Sequence, residues 1–132
     1  HLTRQGDIRS LTDLKAAAEG KDVIYNLAAE HRDDVTPLSL YHDVNVEGAK
    51  NTVEAAKANG INKIIFTSTV AIYGLNKDCP NEGFPAEPFN EYGKTKWEAE
   101  KILKAWKDND DSRSLSILRP AEVIKSIAGL MY

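Results

Sequence analysis

KIIFTSTVAIYG, residues 63–74, has the β-branched and aromatic composition of a buried β-strand followed by a turn. Ser68 and Thr69 follow the apolar residues, so the strand is predicted to present hydroxyls at its carboxyl end. Downstream, EYGKTKW at 91–97 predicts the start of a helix that carries Tyr92 and Lys96. Residues four apart share one face of a helix. The sequence therefore predicts a hydroxyl, a phenol and an ammonium that can serve proton transfer.

Strand and helix patterns alternate along the chain, which predicts a parallel sheet covered by helices. The segment 75–90 is rich in Pro, Asn and Gly and is predicted to be a loop. The result is an α/β fold of the Rossmann-like, doubly wound type. The other predicted elements are a helix from Ser10 to Ala18, a buried strand at 22–29, a helix at 37–59 ended by Gly60, the strand and its exit at 63–73, a helix at 92–106 and a strand at 115–118.

Composition excludes several classes of partner. The 132 residues suit one domain, and the net charge of −3 leaves no basic stripe for nucleic acid. Cys79 is the only cysteine, so we expect no internal disulfide, no thiolate metal cluster and a reducing cytoplasm. Apolar stretches are short and no signal-peptide core precedes them. We expect a soluble cytoplasmic protein with no membrane or nucleic-acid partner and no metal.

A tyrosine and a lysine four residues apart also occur at Tyr73 and Lys77, so this spacing alone is a weak signal. Tyr73 precedes a turn, where residues four apart do not align, whereas Tyr92 begins a helical pattern. Lowering the pKa of a tyrosine from 10 to about 7 requires roughly 4 kcal/mol of phenolate stabilisation. A lysine on the same face supplies part of it. We therefore predict that Lys96 lowers the pKa of Tyr92 and that Thr69 holds the substrate oxygen.

Six motifs occur in order along nearly the whole chain, up to about Ile124. Their order and spacing resemble the extended short-chain dehydrogenase/reductase superfamily, the group of nucleotide-sugar epimerases, dehydratases and reductases. The motifs are Gly6-Asp7-Ile8-Arg9, Asp22-Val23-Ile24-Tyr25-Asn26-Leu27-Ala28-Ala29, Asn45-Val46-Glu47-Gly48, Phe66-Thr67-Ser68-Thr69 through Tyr73-Gly74, Tyr92 to Lys96, and Leu118-Arg119-Pro120.

The resemblance implies a catalytic set of Thr69, Tyr92 and Lys96 and the cofactor NAD. Tyr92 would exchange the proton of a sugar hydroxyl while the nicotinamide takes or returns hydride. Lys96 would also bond the nicotinamide ribose. NADP stays open, because the resemblance places the deciding residue at the end of an earlier strand. Without the resemblance, Tyr92 is only a helix-start aromatic and Lys96 a solvated charge.

The resemblance also implies binding roles for other residues. Asp7 and Ile8 would contact the adenine, and the small residues at the strand end 27–29 would let the backbone lie against the cofactor. Asn45 would help hold the active-site strands and the cofactor, Ser68 would line the same pocket, and Pro120 would pack against the nicotinamide. Simpler alternatives are that Asp7 shapes a turn, that Asn45 is structural and that His31 is a solvated loop residue. The implied cofactor set is Asp7, Ile8, Leu27, Ala28, Ala29, Asn45, Ser68, Tyr92, Lys96 and Pro120, and the implied substrate set is Ser68, Thr69, Tyr92 and His31.

No G-x-G-x-x-G or G-x-x-G-x-x-G occurs among the 8 glycines, although a nucleotide-binding sheet of this type opens with such a turn. The family also carries a substrate region beyond the last matched strand. We therefore expect an incomplete sheet that lacks its first strands, the glycine-rich turn and the C-terminal substrate region. Residues 1–124 would be part of an NAD(P)-binding domain, and 125–132 a tail of uncertain placement.

The function that the resemblance implies is an NAD-dependent nucleotide-sugar epimerase that acts at sugar C4 through a 4-keto intermediate. Alternatives are an NAD(P)-dependent sugar-nucleotide or carbonyl reductase and a non-catalytic dinucleotide-binding protein. Val70 and Ala71 stand where the family's dehydratases place Asp-Glu, which disfavours dehydration. Glu122 stands near an Asn that contacts the substrate diphosphate in some epimerases, and a carboxylate there would repel it. Relatives pair two helices per subunit, which implies a homodimer through the 37–59 and 92–106 helices.

Overall fold

The core of the molecule is a three-stranded parallel sheet. The computed structural model describes residues 3–32, 34–76 and 78–120. Strands β1 (Ile24–Asn26), β2 (Lys63–Thr67) and β3 (Ser114–Leu118) lie in the order β1-β2-β3. Asn26 is opposite Phe66, and Phe66 is opposite Ile117, so the three carboxyl ends meet at one edge. The predicted Rossmann-like α/β class is confirmed.

Helices connect the strands and provide most of the remaining structure. Ser10 begins the first helix by accepting a hydrogen bond from the Asp13 backbone N–H, and Asn90 begins the last by accepting from Gly93 N–H. Gly20 and Gly60 have φ of 65° and 66°, the left-handed conformation that favours glycine after a helix. The helices are α1 (Leu11–Ala18), the single turn α2 (Ser39–Tyr41), a π-helical segment (His42–Glu47), α3 (Gly48–Ala58), a 3₁₀ turn (Val70–Tyr73) and α4 (Glu91–Asp108).

The main hydrophobic core lies between one face of the sheet and the helices α3 and α4. Ile64 and Phe66 of β2 are buried there against Ala56, Ala99 and Leu103. Side chains alternate across a strand, so Tyr25 of β1 points to the opposite face, where it is 63% exposed. The described helices therefore cover the sheet mainly on the Ile64 side.

Two predicted elements differ from the structure. The strand predicted at 22–29 is confined to Ile24–Asn26, because the Asn26 side chain accepts a hydrogen bond from Ala28 N–H at 3.2 Å and turns the chain out of the sheet. It is also not wholly buried, since Tyr25 is exposed. The single helix predicted at 37–59 contains a π-helical segment, His42–Glu47, which includes the buried Asn45.

Some predicted features fall outside the described residues, namely Lys77, Glu122, Ile124 and the tail 125–132. Within the described ranges, no helix has the length and apolar character needed to cross a bilayer. The same ranges contain no group of three or more His, Cys, Asp or Glu side chains placed to hold a metal ion.

Candidate functional site

The carboxyl ends of β2 and β3 and the start of α4 bring the predicted catalytic residues together. The Ser68 backbone N–H donates to the Leu118 carbonyl at 2.7 Å, which ties the exit of β2 to the end of β3. Thr69 then begins the 3₁₀ turn, its hydroxyl accepting from Ala71 N–H at 3.1 Å. Parallel strands present their functional side chains at this edge.

The Tyr92 phenol, in the first turn of α4, is half-buried and interacts with the Thr69 hydroxyl. Burial raises the pKa of Tyr92 above its ordinary value, and the Thr69 hydrogen bond opposes that rise only in part. The predicted net lowering of the Tyr92 pKa is not found in this structure, because desolvation of the phenol is the larger effect. That Lys96 supplies part of the stabilisation of the phenolate stays a prediction. The structure brings the Thr69 and Tyr92 side chains together, and their catalytic roles stay predictions.

The Lys96 side chain is held inside the protein and is only 1% exposed. Its ammonium donates to the Thr67 carbonyl at 2.6 Å and lies 4.0 Å from the centre of the Phe66 ring, a cation–π arrangement. Burial lowers the pKa of Lys96 to about 8, while the negative charge of Glu100 acts in the opposite direction. Lys96 is thus a buried cation close to its neutral form, not the solvated charge of the simpler alternative.

Close backbone packing fixes the start of α4 against the 3₁₀ turn. A Cβ on Gly93 would lie 2.8 Å from the Ala71 carbonyl oxygen, so only glycine permits this approach. Gly74, with φ of 84°, leaves the turn, and a Cβ there would lie 2.4 Å from the Glu87 carbonyl oxygen. Both glycines let the Thr69 segment and the Tyr92 segment come together.

Asn45 connects the π-helical segment to two other parts of the site. Its amide group donates to the Glu30 carbonyl at 3.1 Å and to the Thr95 hydroxyl at 3.0 Å, and its oxygen accepts from Glu30 N–H at 2.9 Å. A buried amide must find such partners. Both amide hydrogens bond to protein atoms, so Asn45 holds these segments together, and its predicted contact with the cofactor stays a prediction.

A second region, the β1 groove, lies along the carboxyl end of β1. It is a cavity of about 350 Å³, and its lining includes Asp7, Ile8, Leu27 and Ala28. The Asp7 carboxylate oxygens accept hydrogen bonds of 2.6 to 3.1 Å from the Arg9 guanidinium nitrogens, and these bonds lower the pKa of Asp7 to about 2. Its lining does not include Ala29, His31 or Pro120.

These three remaining residues lie apart from the groove. His31 is exposed in the segment after β1, and Pro120 is exposed just after β3. Ala29 is half-buried beyond the end of β1. The Ser68 hydroxyl is buried and lies beside the Glu100 carboxylate, although it makes no hydrogen bond of normal geometry. Their predicted binding roles stay predictions.

Comparison with known proteins assigns the family. The model described as "NAD dependent epimerase/dehydratase family" matches residues 2–124. The chain belongs to this family. It is 51% identical over 123 residues to the Escherichia coli O157:H7 protein named N-acetyl-alpha-D-glucosaminyl-diphospho-ditrans,octacis-undecaprenol 4-epimerase, covering 92% of this chain and 37% of that protein. The chain therefore spans little more than a third of that relative.

Solved structures of epimerases share the fold of this family member. The UDP-Glc/GlcNAc 4-epimerase of Campylobacter jejuni has a TM-score of 0.79 and 28% identity, over 86% of this chain and 36% of that one. The UDP-glucose 4-epimerase of Brucella ovis, solved in complex with NAD, has a TM-score of 0.79 and 27% identity, over 88% and 37%. NAD is thus bound in the solved structure of one neighbour of this chain.

The residues of the chain fit the dinucleotide that gives this family its name. The β1 groove offers a carboxylate at Asp7 and the small side chain of Ala28, which leaves room for close approach of a ligand. At the other side of the sheet edge, the Lys96 ammonium donates to the Thr67 carbonyl at 2.6 Å, and an ammonium has three donors in all. The donor set is polar and free of metal-ligand clusters within the described ranges.

Sequence reasoning missed Glu100 and gave no role to Arg119. Glu100 is fully buried and forms a two-point ion pair with Arg119, at 2.9 and 2.6 Å. The available signal was spacing, because Glu100 follows Lys96 by four residues and precedes the core residue Leu103 by three. A glutamate on that face of α4 is placed toward the core and not toward solvent.

Proposed function

We propose that the protein containing this chain is an NAD-dependent nucleotide-sugar 4-epimerase. The observation that carries the proposal is the meeting of the Thr69 hydroxyl and the Tyr92 phenol, with the Lys96 cation one turn further along α4. A hydroxyl, a phenol and an ammonium can hold a sugar hydroxyl and move its proton. The 51% identity to a 4-epimerase supports the same chemistry.

Tyr92 exchanges the proton of the sugar C4 hydroxyl, and Thr69 holds that oxygen within hydrogen-bond reach. The chemistry that NAD supplies when bound is reversible hydride transfer with C4, through a 4-keto sugar. With its pKa raised by burial, the phenol is protonated at neutral pH. Taking a proton requires stabilisation of the phenolate, and the nearby Lys96 cation contributes to it.

The residues proposed to hold the cofactor fall into two groups. Asp7, Ile8, Leu27 and Ala28 would hold the adenosine part in the β1 groove. Lys96 would bond the ribose next to the nicotinamide. Ala29, Asn45, Ser68 and Pro120 complete the proposed cofactor set, and Ser68 and His31 are proposed to contact substrate with Thr69 and Tyr92.

The test is conversion of UDP-glucose and UDP-N-acetylglucosamine to their C4 epimers, followed by proton NMR in the presence of NAD. We expect Tyr92→Phe to lower kcat by about 10²- to 10⁴-fold, the usual contribution of a positioned acid–base group. Circular dichroism should be unchanged, because the substitution removes one hydroxyl. Unchanged turnover in Tyr92→Phe would remove Tyr92 from the proposed mechanism.

Lysine variants provide a matched control on the same helix. Lys96→Met should abolish most turnover, whereas Lys94→Met should retain it. Lys94 is an exposed residue whose ammonium pairs with Glu91 at 2.7 Å. An equal loss in both variants would indicate a general effect of charge on α4.

Cofactor stoichiometry separates the epimerase from the reductase alternative. An epimerase regenerates its cofactor, so catalytic NAD should support many turnovers without net NADH. A reductase consumes one reduced cofactor per product and should show it in the absorbance at 340 nm. Binding of NAD without either activity would favour the non-catalytic alternative. Repeating the assay with NADP settles the cofactor form.

A second candidate substrate is a sugar linked through diphosphate to a polyprenol. The observation that favours it is the name of the 51% identical relative, which acts on N-acetylglucosamine carried by diphospho-undecaprenol. Both candidates share a sugar attached to a diphosphate. Parallel assays with UDP-N-acetylglucosamine and with the polyprenyl-linked sugar in detergent decide which carrier is preferred, by the ratio of kcat/KM.

We also propose a homodimer through the 37–59 and 92–106 helices. A shallow groove of ≈ 470 Å³ lies between the π-helical segment and α4, and its lining includes Val46, Ile102 and Ala105. A charged residue at the exposed Ala105 should separate the subunits. Sedimentation of Ala105→Glu beside the unmodified protein measures this, and a monomeric unmodified protein would contradict the dimer.

A further inference from the structure

We propose that Glu100 is a positioning residue for the proposed reaction, acting on Lys96 along α4 and fixed in place by Arg119. This inference rests on the proposed function, because it assigns Lys96 the cationic role described above. It adds a residue that the predicted site did not contain.

The first support is the burial of Glu100 together with its partners. The side chain is completely inaccessible, and a buried carboxylate without partners is strongly unfavourable. Arg119 supplies two charge-assisted hydrogen bonds, from Nε to Oε1 at 2.9 Å and from Nη2 to Oε2 at 2.6 Å. Lys104 adds a third at 3.1 Å. Burial acts to raise the pKa of Glu100, but these bonds, first among them those from Arg119, hold it below its ordinary value, so the group is an anion.

The second support is that Arg119, the partner of Glu100, is itself held by Tyr73. Arg119 donates from Nη1 to the Tyr73 hydroxyl at 2.5 Å and lies 5.2 Å from the centre of that ring. Tyr73 belongs to the 3₁₀ turn that Thr69 begins. The Glu100 carboxylate therefore connects α4, the end of β3 and the turn after β2, which are the three segments that meet at the candidate site.

The third support is the position of Glu100 relative to Lys96. The two residues are one helical turn apart, and the negative charge of Glu100 favours the charged form of Lys96. The groups that the described contacts place at Lys96 are Glu100 on its own helix and, from β2, the Thr67 carbonyl and the Phe66 ring, neither of which titrates. Glu100 in turn faces Lys104 of α4 and Arg119 after β3.

Together these contacts make the Glu100 carboxylate both the ion-pair partner of Arg119 and the negative charge that acts on Lys96. Burial favours neutral Lys96, and a neutral amine stabilises a phenolate poorly. Glu100 opposes this neutralisation with a negative charge that Arg119, itself bonded to Tyr73, holds in position. Removing the charge of Glu100 should make Lys96 lose its proton at lower pH.

The test compares Glu100→Gln with Asp111→Asn in the full-length protein that contains this chain. Gln has nearly the same shape as Glu, and Asp111 is an exposed carboxylate between α4 and β3. Lysine labelled with ¹³C reports titration through its Cε resonance, and Lys96→Arg identifies the Lys96 signal. We expect the Lys96 midpoint to move to lower pH in Glu100→Gln and to stay in place in Asp111→Asn.

Activity provides the second measurement. The alkaline limb of the kcat profile should move to lower pH in Glu100→Gln, with about a tenfold loss of kcat above the new midpoint for each unit of movement. Arg119→Lys keeps the cation but loses the two-point bond, so it should lower thermal stability without moving the Lys96 midpoint. A merely structural Glu100 would lower stability and leave both the midpoint and the alkaline limb unchanged.

The outcomes are distinguishable from failure of the proposed function. An unmodified protein with no epimerase activity removes the proposed function and, with it, the reaction that Glu100 is proposed to serve. An active protein whose Lys96 titration is unchanged in Glu100→Gln overturns the present inference alone. If Glu100→Gln does not fold, Glu100→Asp is the second variant, because it retains the charge on a shorter side chain. A Lys96 titration midpoint lower than in the unmodified protein then supports the proposal, and an unchanged midpoint overturns it.

Discussion

The two regions of the candidate site are built differently. The α4 region, consisting of Thr69, Tyr92, Lys96 and Glu100, is half-buried to fully buried, and its charged groups have partners on other elements. In the β1 groove, Leu27 is 72% exposed and Asp7 is paired with Arg9, only two residues away. The comparison teaches that changes near α4 should affect folding and chemistry together, whereas changes in the β1 groove should affect binding alone.

The largest expected effect comes from the buried charge of Lys96. Its pKa is lowered in the folded protein from 10.5 to about 8, so between these values the unfolded chain binds more protons than the folded one. The cost of burying the cation is therefore fully present below pH 8 and is relieved as pH rises toward 10.5. The difference between the two pKa values corresponds to a change of at most about 3 kcal/mol in the free energy of unfolding.

Urea unfolding of the unmodified protein and of Lys96→Met, at pH values from 7 to 10, measures this effect. The difference in unfolding free energy between the two proteins should move in favour of the unmodified protein as pH rises above 8. Lys94→Met is the exposed control and should show no such trend. A difference that is independent of pH would mean that Lys96 is not a buried cation.

Gly93 should give the next largest effect. Alanine normally stabilises a helix relative to glycine by about 0.5–1 kcal/mol, but here its Cβ would lie 2.8 Å from the Ala71 carbonyl oxygen. Displacement of Tyr92 from Thr69 by about 1 Å should lower kcat by roughly 10²-fold. Gly83→Ala, in the exposed loop, is the control and should retain activity. Full activity in Gly93→Ala would show that the helix start tolerates movement.

The third largest effect is expected at Asn45, mainly on the stability of the folded protein. Asn45→Ala leaves the Glu30 N–H and carbonyl without their side-chain partner, at a cost of about 2 kcal/mol in unfolding free energy. Thermal unfolding measures the loss, and the exposed Asn62→Ala should not show it. Measuring the Kd for NAD in the same variant sharpens the result, because a direct contact would raise the Kd even where the folded protein predominates.

Asp7 should give the smallest effect, confined to binding. Asp7→Asn removes one charged acceptor from the β1 groove, and we expect the Kd for NAD to rise about tenfold, the value of one charge-assisted hydrogen bond. Calorimetric titration measures it, with the exposed Asp22→Asn as control. An unchanged Kd would favour the alternative in which Asp7 only shapes the turn that includes Arg9.

Much of the fold could be predicted because its signals are local. The caps at Ser10 and Asn90, the glycines after α1 and α3, and the apolar run of β2 each act within a few residues. The predicted helix at 92–106 and strand at 115–118 lie within α4 and β3 as observed. The two errors occur where a side chain bonds to backbone outside the regular element: Asn26 to Ala28 N–H at the end of β1, and Asn45 of the π-helical segment to the distant Glu30 backbone.

The amino-acid sequence alone predicts the alternating α/β order and the candidate groups for proton transfer, Thr69, Tyr92 and Lys96. These depend on residue type and on helical or strand spacing. Only the tertiary structure decided their electrostatic state, because burial depends on contacts between distant segments. It raised the pKa of Tyr92, brought Lys96 against β2 and joined Glu100 to Arg119, nineteen residues later in the chain. Desolvation and long-range pairing leave no local pattern in a sequence.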